Sequence, residues 1–67
     1  MATVLNAANE EAVDRFLRHQ IGFMQIAQVN EQVMQQFAGA VADTIEGLLE
    51  IDDHARQVAH KIMNTDN

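Results

Sequence analysis

Apolar residues recur through this chain at intervals of three and four. They fall in three segments divided by two glycine-containing breaks, QIGF and AGAVADT. That spacing is the helical period, and the alternation of a half-buried strand is missing. There is no proline to interrupt a helix. Valine and isoleucine are frequent, yet they too follow the helical spacing. The expected fold class is all-α: a three-helix bundle, or a helical hairpin plus a long third helix, completed by association with another copy.

Length limits how stable such a bundle is. The 67 residues hold one domain or a piece of one. A domain of this size buries only about 60% of its unfolded surface, and its core rarely supplies more than about 3–5 kcal/mol without a staple. Cysteine is absent, so there is neither a disulfide framework nor a thiolate metal site. Ten acidic residues against four basic ones set a net charge of −6. Arg15, Arg18, Arg56 and Lys61 form no run, so nucleic acid and an anionic membrane surface are not expected partners, because phosphate binding needs clustered cations. The opening MATVLNAANEE lacks the basic region and apolar run of a signal peptide. No apolar stretch approaches the ~20 residues of a membrane span.

The first helix is expected over about 7–20. Asn6 is its candidate N-cap, Ala7 and Ala8 are strong helix formers, and Glu10 and Glu11 lie toward the positive end of its dipole. Leu5, Ala8, Ala12 and Phe16 form one stripe, with Val13 and Leu17 at its margins, and Asp14 and Arg18 are spaced to pair on the wet face. In QIGF, Gly22 is expected to take backbone angles that other residues avoid, while Ile21 and Phe23 pin the short connection to the core.

The second helix is expected over about 24–37. Phe23, Ile26, Ala27, Val33, Met34, Phe37 and Ala38 make its apolar face. Gln25, Gln28, Gln32, Gln35 and Gln36 make a second stripe with Glu31 the only charge. This stripe reads as a solvated polar face, and alternatively as one covered by a partner, since neutral amides cost less to desolvate than charges. Gly39 is a candidate C-terminal cap.

The third helix is expected over about 44–63. Asp43 with Glu46 fits a capping box, and Thr44 is an equally good cap. Ile45, Leu48, Leu49, Asp52, Ala55, Val58, Ala59, Ile62 and Met63 recur at helical spacing. Gly47 costs about 1 kcal/mol against alanine, which implies close packing there. The tail NTDN is expected to fray.

Little chemistry is visible. His19, near a helix C-terminus, reads as a dipole partner. Glu50 and His54 are spaced to share a metal, but two ligands make a poor site. The chain has no serine and no phosphate-cradling glycine loop, and its only hydroxyls are Thr3, Thr44 and Thr65. No residue is assigned a catalytic, cofactor-binding or metal-binding role. The residues singled out for structural roles are Asn6, Ala8, Phe16, Phe23, Ile26, Asp43, Leu48, Asp52 and Arg56. Asp52 and Arg56 in IDDHAR read as an intrahelical ion pair worth about 0.3–0.5 kcal/mol. The alternative is that Arg56 reaches across to a neighbouring helix.

The stretch VLNAANEEAVDRFLRHQIGFMQIAQVNEQVM resembles a segment near the C-terminus of the 1-deoxy-D-xylulose 5-phosphate reductoisomerase family. The family pattern of LNAANE, then AV, FL and I-x-F-x-x-I-A, is matched by Leu5 to Glu10, Ala12 and Val13, Phe16 and Leu17, and Ile21, Phe23, Ile26 and Ala27. A later helix with T/S-[IL]-E and D-x-x-A-R is matched by Thr44, Ile45, Glu46, Asp52, Ala55 and Arg56. The resemblance runs from Val4 to about Met63. It implies a cytoplasmic enzyme that uses NADPH and a divalent metal, makes 2-C-methyl-D-erythritol 4-phosphate for isoprenoid synthesis, and ends in a helical bundle that supports the other domains. Its ligand and cofactor motifs match no position here, so no catalytic residue is carried over. Ala7, Ala8 and Ala12 then read as small residues that let another element approach.

Two departures stand out. The family's LNAANE stretch normally follows a helix and a proline-containing turn, whereas here only MAT and Val4 precede it. QQFAGAVADT lacks the expected proline, and its higher helix propensity favours a more continuous join between helices two and three. The resemblance makes the chain a non-catalytic structural domain whose partners are the rest of the enzyme and, through exposed apolar surface, further copies of itself. The rival reading is a free-standing acidic interaction module.

Overall fold

The computed structural model describes residues 2–65, so Asp66 and Asn67 of the NTDN tail lie outside it. Three helices follow one another: α1 (Ala2–Leu17), α2 (Phe23–Gln36) and α3 (Ile45–Thr65). The described residues contain no strand, and the all-α expectation holds. None of the helices is long and apolar enough to cross a membrane.

α1 starts earlier than its sequence suggests. Helix already runs through Thr3 and Val4, so Asn6 is an exposed residue inside it and not its cap. Glu10 and Glu11 consequently sit in mid-helix, beyond the reach of the N-terminal dipole, which falls off within one turn. The buried stripe is Val4, Ala7, Ala8 and Ala12, while Leu5 and Leu17 point largely to solvent. The Asp14–Arg18 pair forms on the wet face at 3.2 Å.

α1 ends in a Schellman motif. The His19 amide donates to the Phe16 carbonyl at 3.0 Å, and the Gln20 amide donates to the Arg15 carbonyl at 2.9 Å. His19 itself adopts φ 62°, the left-handed position that glycine usually fills. The unusual backbone in this connection therefore belongs to His19. Gly22 sits at ordinary extended angles, φ −84° and ψ 163°, and is the N-cap of α2. Its amide donates to Gln25 Oε1 at 2.6 Å, so a side chain three residues into the helix caps it from behind.

The inward face of α2 is centred on Val29 and Val33, with Ile26, Met34 and Phe37 half-buried beside them. Val29 was not in the face expected from sequence, and Ala27 and Ala38 are exposed. Phe23 is 71% exposed, although its ring meets Phe16 edge to face at 5.8 Å. α2 does not continue into α3: residues 37–44 form a break in which Gly39 turns at φ 84°. The cap of α3 is Thr44, whose Oγ1 accepts from the Gly47 amide at 3.0 Å. Asp43 is exposed in the loop and does not fill that position. Gly47 is close-packed as expected, because a Cβ there would lie 3.2 Å from Thr44 Oγ1 and 3.5 Å from Ala42 Cβ.

α1 packs against both other helices, and α2 and α3 contact each other less. Its small buried residues share one core with Val29 and Val33 of α2 and with Ala55, Ala59 and Met63 of α3. α1 and α3 run parallel: Glu11 meets Arg56 and Arg15 meets His60, each pair 45 residues apart. That offset sets the first residue of α1 level with Gly47. In the first turns of α3, Ile45, Leu48 and Leu49 are 77%, 36% and 64% exposed. Leu48 is exposed and does not belong to the core.

Two substitutions check the local geometry by urea denaturation. His19→Gly relieves the left-handed strain and is expected to raise stability by about 0.5–1 kcal/mol. Thr44→Ala is expected to cost about 1 kcal/mol through loss of the cap, whereas Asp43→Ala stays within about 0.5 kcal/mol.

Candidate functional site

The chain's polar chemistry gathers where α1 and α3 run side by side. Alanines at 8, 12, 55 and 59 bring the two backbones close, and longer side chains flank that seam. Arg56 is the centre. Its Nε donates to Asp52 Oδ2 at 2.9 Å and its Nη2 to Asp52 Oδ1 at 3.4 Å, a two-point grip within α3. Its Nη1 donates to Glu11 Oε2 at 2.8 Å, across to α1. Its Nη2 also lies 3.5 Å from Glu10 Oε2. The intrahelical pair and the cross-helix reach, posed as alternatives by the sequence, are both present.

Glu11 links this centre to a second basic group. Its other oxygen, Oε1, accepts from His60 Nε2 at 2.5 Å. His60 Nδ1 in turn accepts from Arg15 Nη2 at 2.9 Å. These contacts assign the neutral Nε2–H tautomer, since a protonated Nδ1 would face a guanidinium donor with no lone pair to offer. The result is a chain running Arg15, His60, Glu11, Arg56 and Asp52, with Glu10 at its edge.

The cluster holds itself together through charge. Hydrogen bonds from Arg56 to Asp52 first, then to Glu11 and Glu10, hold its guanidinium pKa above the ordinary arginine value, against a smaller opposing effect of burial. A folded-state value raised in this way stabilises the fold below the unfolded arginine pKa and is lost only as pH climbs through the raised one. Arg56 therefore adds no pH dependence anywhere near neutrality. The Arg56 side chain is 30% exposed, so water screens these pairs and each is worth less than its geometry suggests.

Chemically, the arrangement is a brace. Both Glu11 oxygens and both His60 ring nitrogens are engaged, and three of the guanidinium's partners are carboxylates. A general base needs a free lone pair within reach of a substrate proton, and the His60 and Glu11 lone pairs that face the seam are taken. Among the described residues, no three His, Cys, Asp or Glu side chains group as metal ligands. His54, paired with Glu50 in the sequence, lays its ring edge to face on Phe37 at 5.2 Å.

Of the residues singled out from sequence, the structure brings Asp52 and Arg56 into this cluster and places Ala8 in the buried seam beneath it. Phe16 and Ile26 are half-buried against the core. Asn6, Phe23, Asp43 and Leu48 face mainly outward. Glu11, Arg15 and His60 were not foreseen as a group. Their only signal is an offset of 45 residues, which no local pattern encodes.

Comparison with known proteins places this bundle. A family model described as the DXP reductoisomerase C-terminal domain matches residues 1–58. Three curated relatives, each a 1-deoxy-D-xylulose 5-phosphate reductoisomerase, align over most of the chain. The Aeromonas hydrophila protein is 49% identical over 61 residues, covering 91% of this chain. The Psychromonas ingrahamii protein is 48% identical over 64 residues, covering 96%. The Idiomarina loihiensis protein is 51% identical over 59 residues, covering 88%. The chain spans only 15–16% of the length of these relatives.

Removing the centre of the brace leaves three carboxylates facing one another without their cation. Arg56→Met is expected to cost about 1–2 kcal/mol in thermal or urea unfolding. Because Arg56 keeps its charge, that cost is expected to be the same at pH 6 and pH 9. An Arg56→Met penalty below about 0.3 kcal/mol would show that the brace contributes nothing.

Proposed function

This chain belongs to the DXP reductoisomerase C-terminal domain family, and from that premise we propose that it has a structural, non-catalytic role. The role is support: a bundle that packs against the remaining domains of a reductoisomerase and holds them in place. The observation that carries this reading is the α1–α3 brace, where the chain's central arginine and its cross-helix partners are engaged with one another. A reacting centre needs groups left available for substrate.

The enzyme served would be NADPH-dependent and metal-assisted, converting 1-deoxy-D-xylulose 5-phosphate to 2-C-methyl-D-erythritol 4-phosphate in the cytoplasm, on the non-mevalonate route to isoprenoids. The residues of this bundle do not fit either the metal or the dinucleotide. Carboxylates and imidazoles do not converge in threes among the described residues, and no glycine-rich turn opens a helix toward a phosphate. Both groups belong to other domains in this reading. The rest of the enzyme is then this chain's partner. A free-standing interaction module is less well supported, because the family match covers α1, α2 and α3 as far as Val58.

A domain exchange tests the role. In the Aeromonas hydrophila reductoisomerase, the segment aligned with this chain is replaced by this chain. Turnover and KM are expected to stay within about threefold of the parent enzyme. Adding Arg56→Met to the exchange is expected to lower the thermal midpoint while turnover per folded enzyme again stays within about threefold. A loss of about 100-fold or more in turnover from the arginine change, with folding intact, would put Arg56 in the catalytic machinery and overturn the reading.

A further inference from the structure

We infer that His60 is a proton-operated latch for Arg15: protonation of its Nδ1 releases Arg15 from α3 and leaves His60 on Glu11. The ring stands between two groups of opposite charge on α1. Its Nε2 donates to Glu11 Oε1 at 2.5 Å, and its Nδ1 accepts from Arg15 Nη2 at 2.9 Å. The second contact exists only while Nδ1 keeps its lone pair. An ordinary imidazole takes up its second proton between pH 8 and pH 5, whereas a guanidinium stays charged throughout. Once the ring is charged, two cationic donors face each other across 2.9 Å with no acceptor between them, and one must withdraw.

Arg15 is the one that moves. Protonation turns the His60–Glu11 contact into a bond between full charges, which holds the ring more firmly than before. Arg15 stands on the rim of an open cleft, where its long side chain has room to swing. The charged groups that face His60 across this cleft are Glu11, Asp14, Arg15 and Arg18 of α1. Gln20 and Asn64 complete the lining, and α2 contributes no residue to it. On α3 itself, Arg56 holds Glu11 through the other oxygen, Oε2, at 2.8 Å and is untouched by the exchange, while Lys61 lines the groove toward α2. With His60 neutral, the carboxylates and guanidiniums of the cleft balance. With His60 charged, the balance turns positive and a released guanidinium stands at the cleft's mouth. Proton uptake thus changes the charge and the tethering of this face while Glu11 keeps both of its cross-helix partners. The inference concerns this chain alone and does not rest on its role in an enzyme.

Nuclear magnetic resonance of the full chain with isotope-labelled histidine and arginine tests the latch. At pH 8 the ring nitrogen shifts are expected to show the Nε2–H tautomer, and the carbon-bound His60 protons to give contacts to the Arg15 methylenes. The pH is then lowered until the ring shifts show double protonation, near pH 5 for an ordinary imidazole. There the Arg15 contacts are expected to be lost and the contacts to the Glu11 methylenes kept. His60→Gln supplies an amide that accepts from Arg15 and donates to Glu11 but does not titrate, so its Arg15 contacts are expected to persist at the lower pH. Helicity by circular dichroism is expected to be the same at both pH values. An Nδ1–H tautomer at pH 8, or Arg15 contacts of equal strength in both ring states, overturns the inference. Loss of those contacts at the lower pH in the His60→Gln chain shows that another group drives the release and also overturns it, as does a release that accompanies loss of helix.

Discussion

Alanine at positions 7, 8 and 12 gives α1 a surface almost without side chains, and both other helices settle against it. Helix axes lie about 8–10 Å apart depending on the side chains between them, and small residues set the low end of that range. The other side of the α1–α3 seam is equally spare, with Ala55 and Ala59. The larger buried groups, Val4, Val29, Val33 and Met63, then need only fill the space around this centre. A bundle of this size gains little per residue from burial, so close approach of backbones substitutes for bulk.

The same close approach governs the electrostatics. Arg56 reaches Glu11 only because the α1–α3 seam is narrow. Sliding α3 by one turn would move Arg56 about 5.4 Å along the axis and break its contact with Glu11. The alanine seam tolerates such a slide, because one methyl resembles another. The charged groups do not, and His60 with Arg15 repeats the constraint one turn further along. Packing draws the helices together, and the polar cluster selects which parallel register they keep. The acidity of the chain suits this division: carboxylates on both helices are brought to one guanidinium that neutralises part of their repulsion.

Local pattern and long-range pattern were not equally legible. Helical periodicity revealed three helices, the turn at QIGF and the loop after Phe37, because each depends on residues within one or two turns. The packing at Gly47 was legible for the same reason, whereas the cap of α3 was narrowed only to Asp43 or Thr44 and the structure selects Thr44. The start of α1 was misread because Asn6 is a good cap residue, yet Thr3, Val4 and Leu5 continue the helix upstream and the burial of Val4 wins over capping preference. His19 was misread because glycine is the usual left-handed residue, and the nearby Gly22 drew attention away. The choice between Leu5 and Val4 as core residue turns on a helix rotation set by α2 and α3, so the stripe alone leaves it open. Arg56 could be seen pairing with Asp52, four residues away. Its reach to Glu11 depends on how two distant segments align, and that alignment is a property of the folded core.

The exposed start of α3 has a consequence for how the molecule opens. From Ile45 to Leu49 the helix has its cap at Thr44, and its apolar residues Ile45, Leu48 and Leu49 are exposed. Opening this turn therefore exposes little further apolar surface. Around Ala55, Ala59 and Met63 every residue of the stripe is covered, and separation there means losing the bundle. Backbone amides along one continuous helix should thus exchange with solvent through two different processes, local fraying at its start and global unfolding at its middle. α3 is one helix by geometry and two segments by free energy, divided between Leu49 and Ala55.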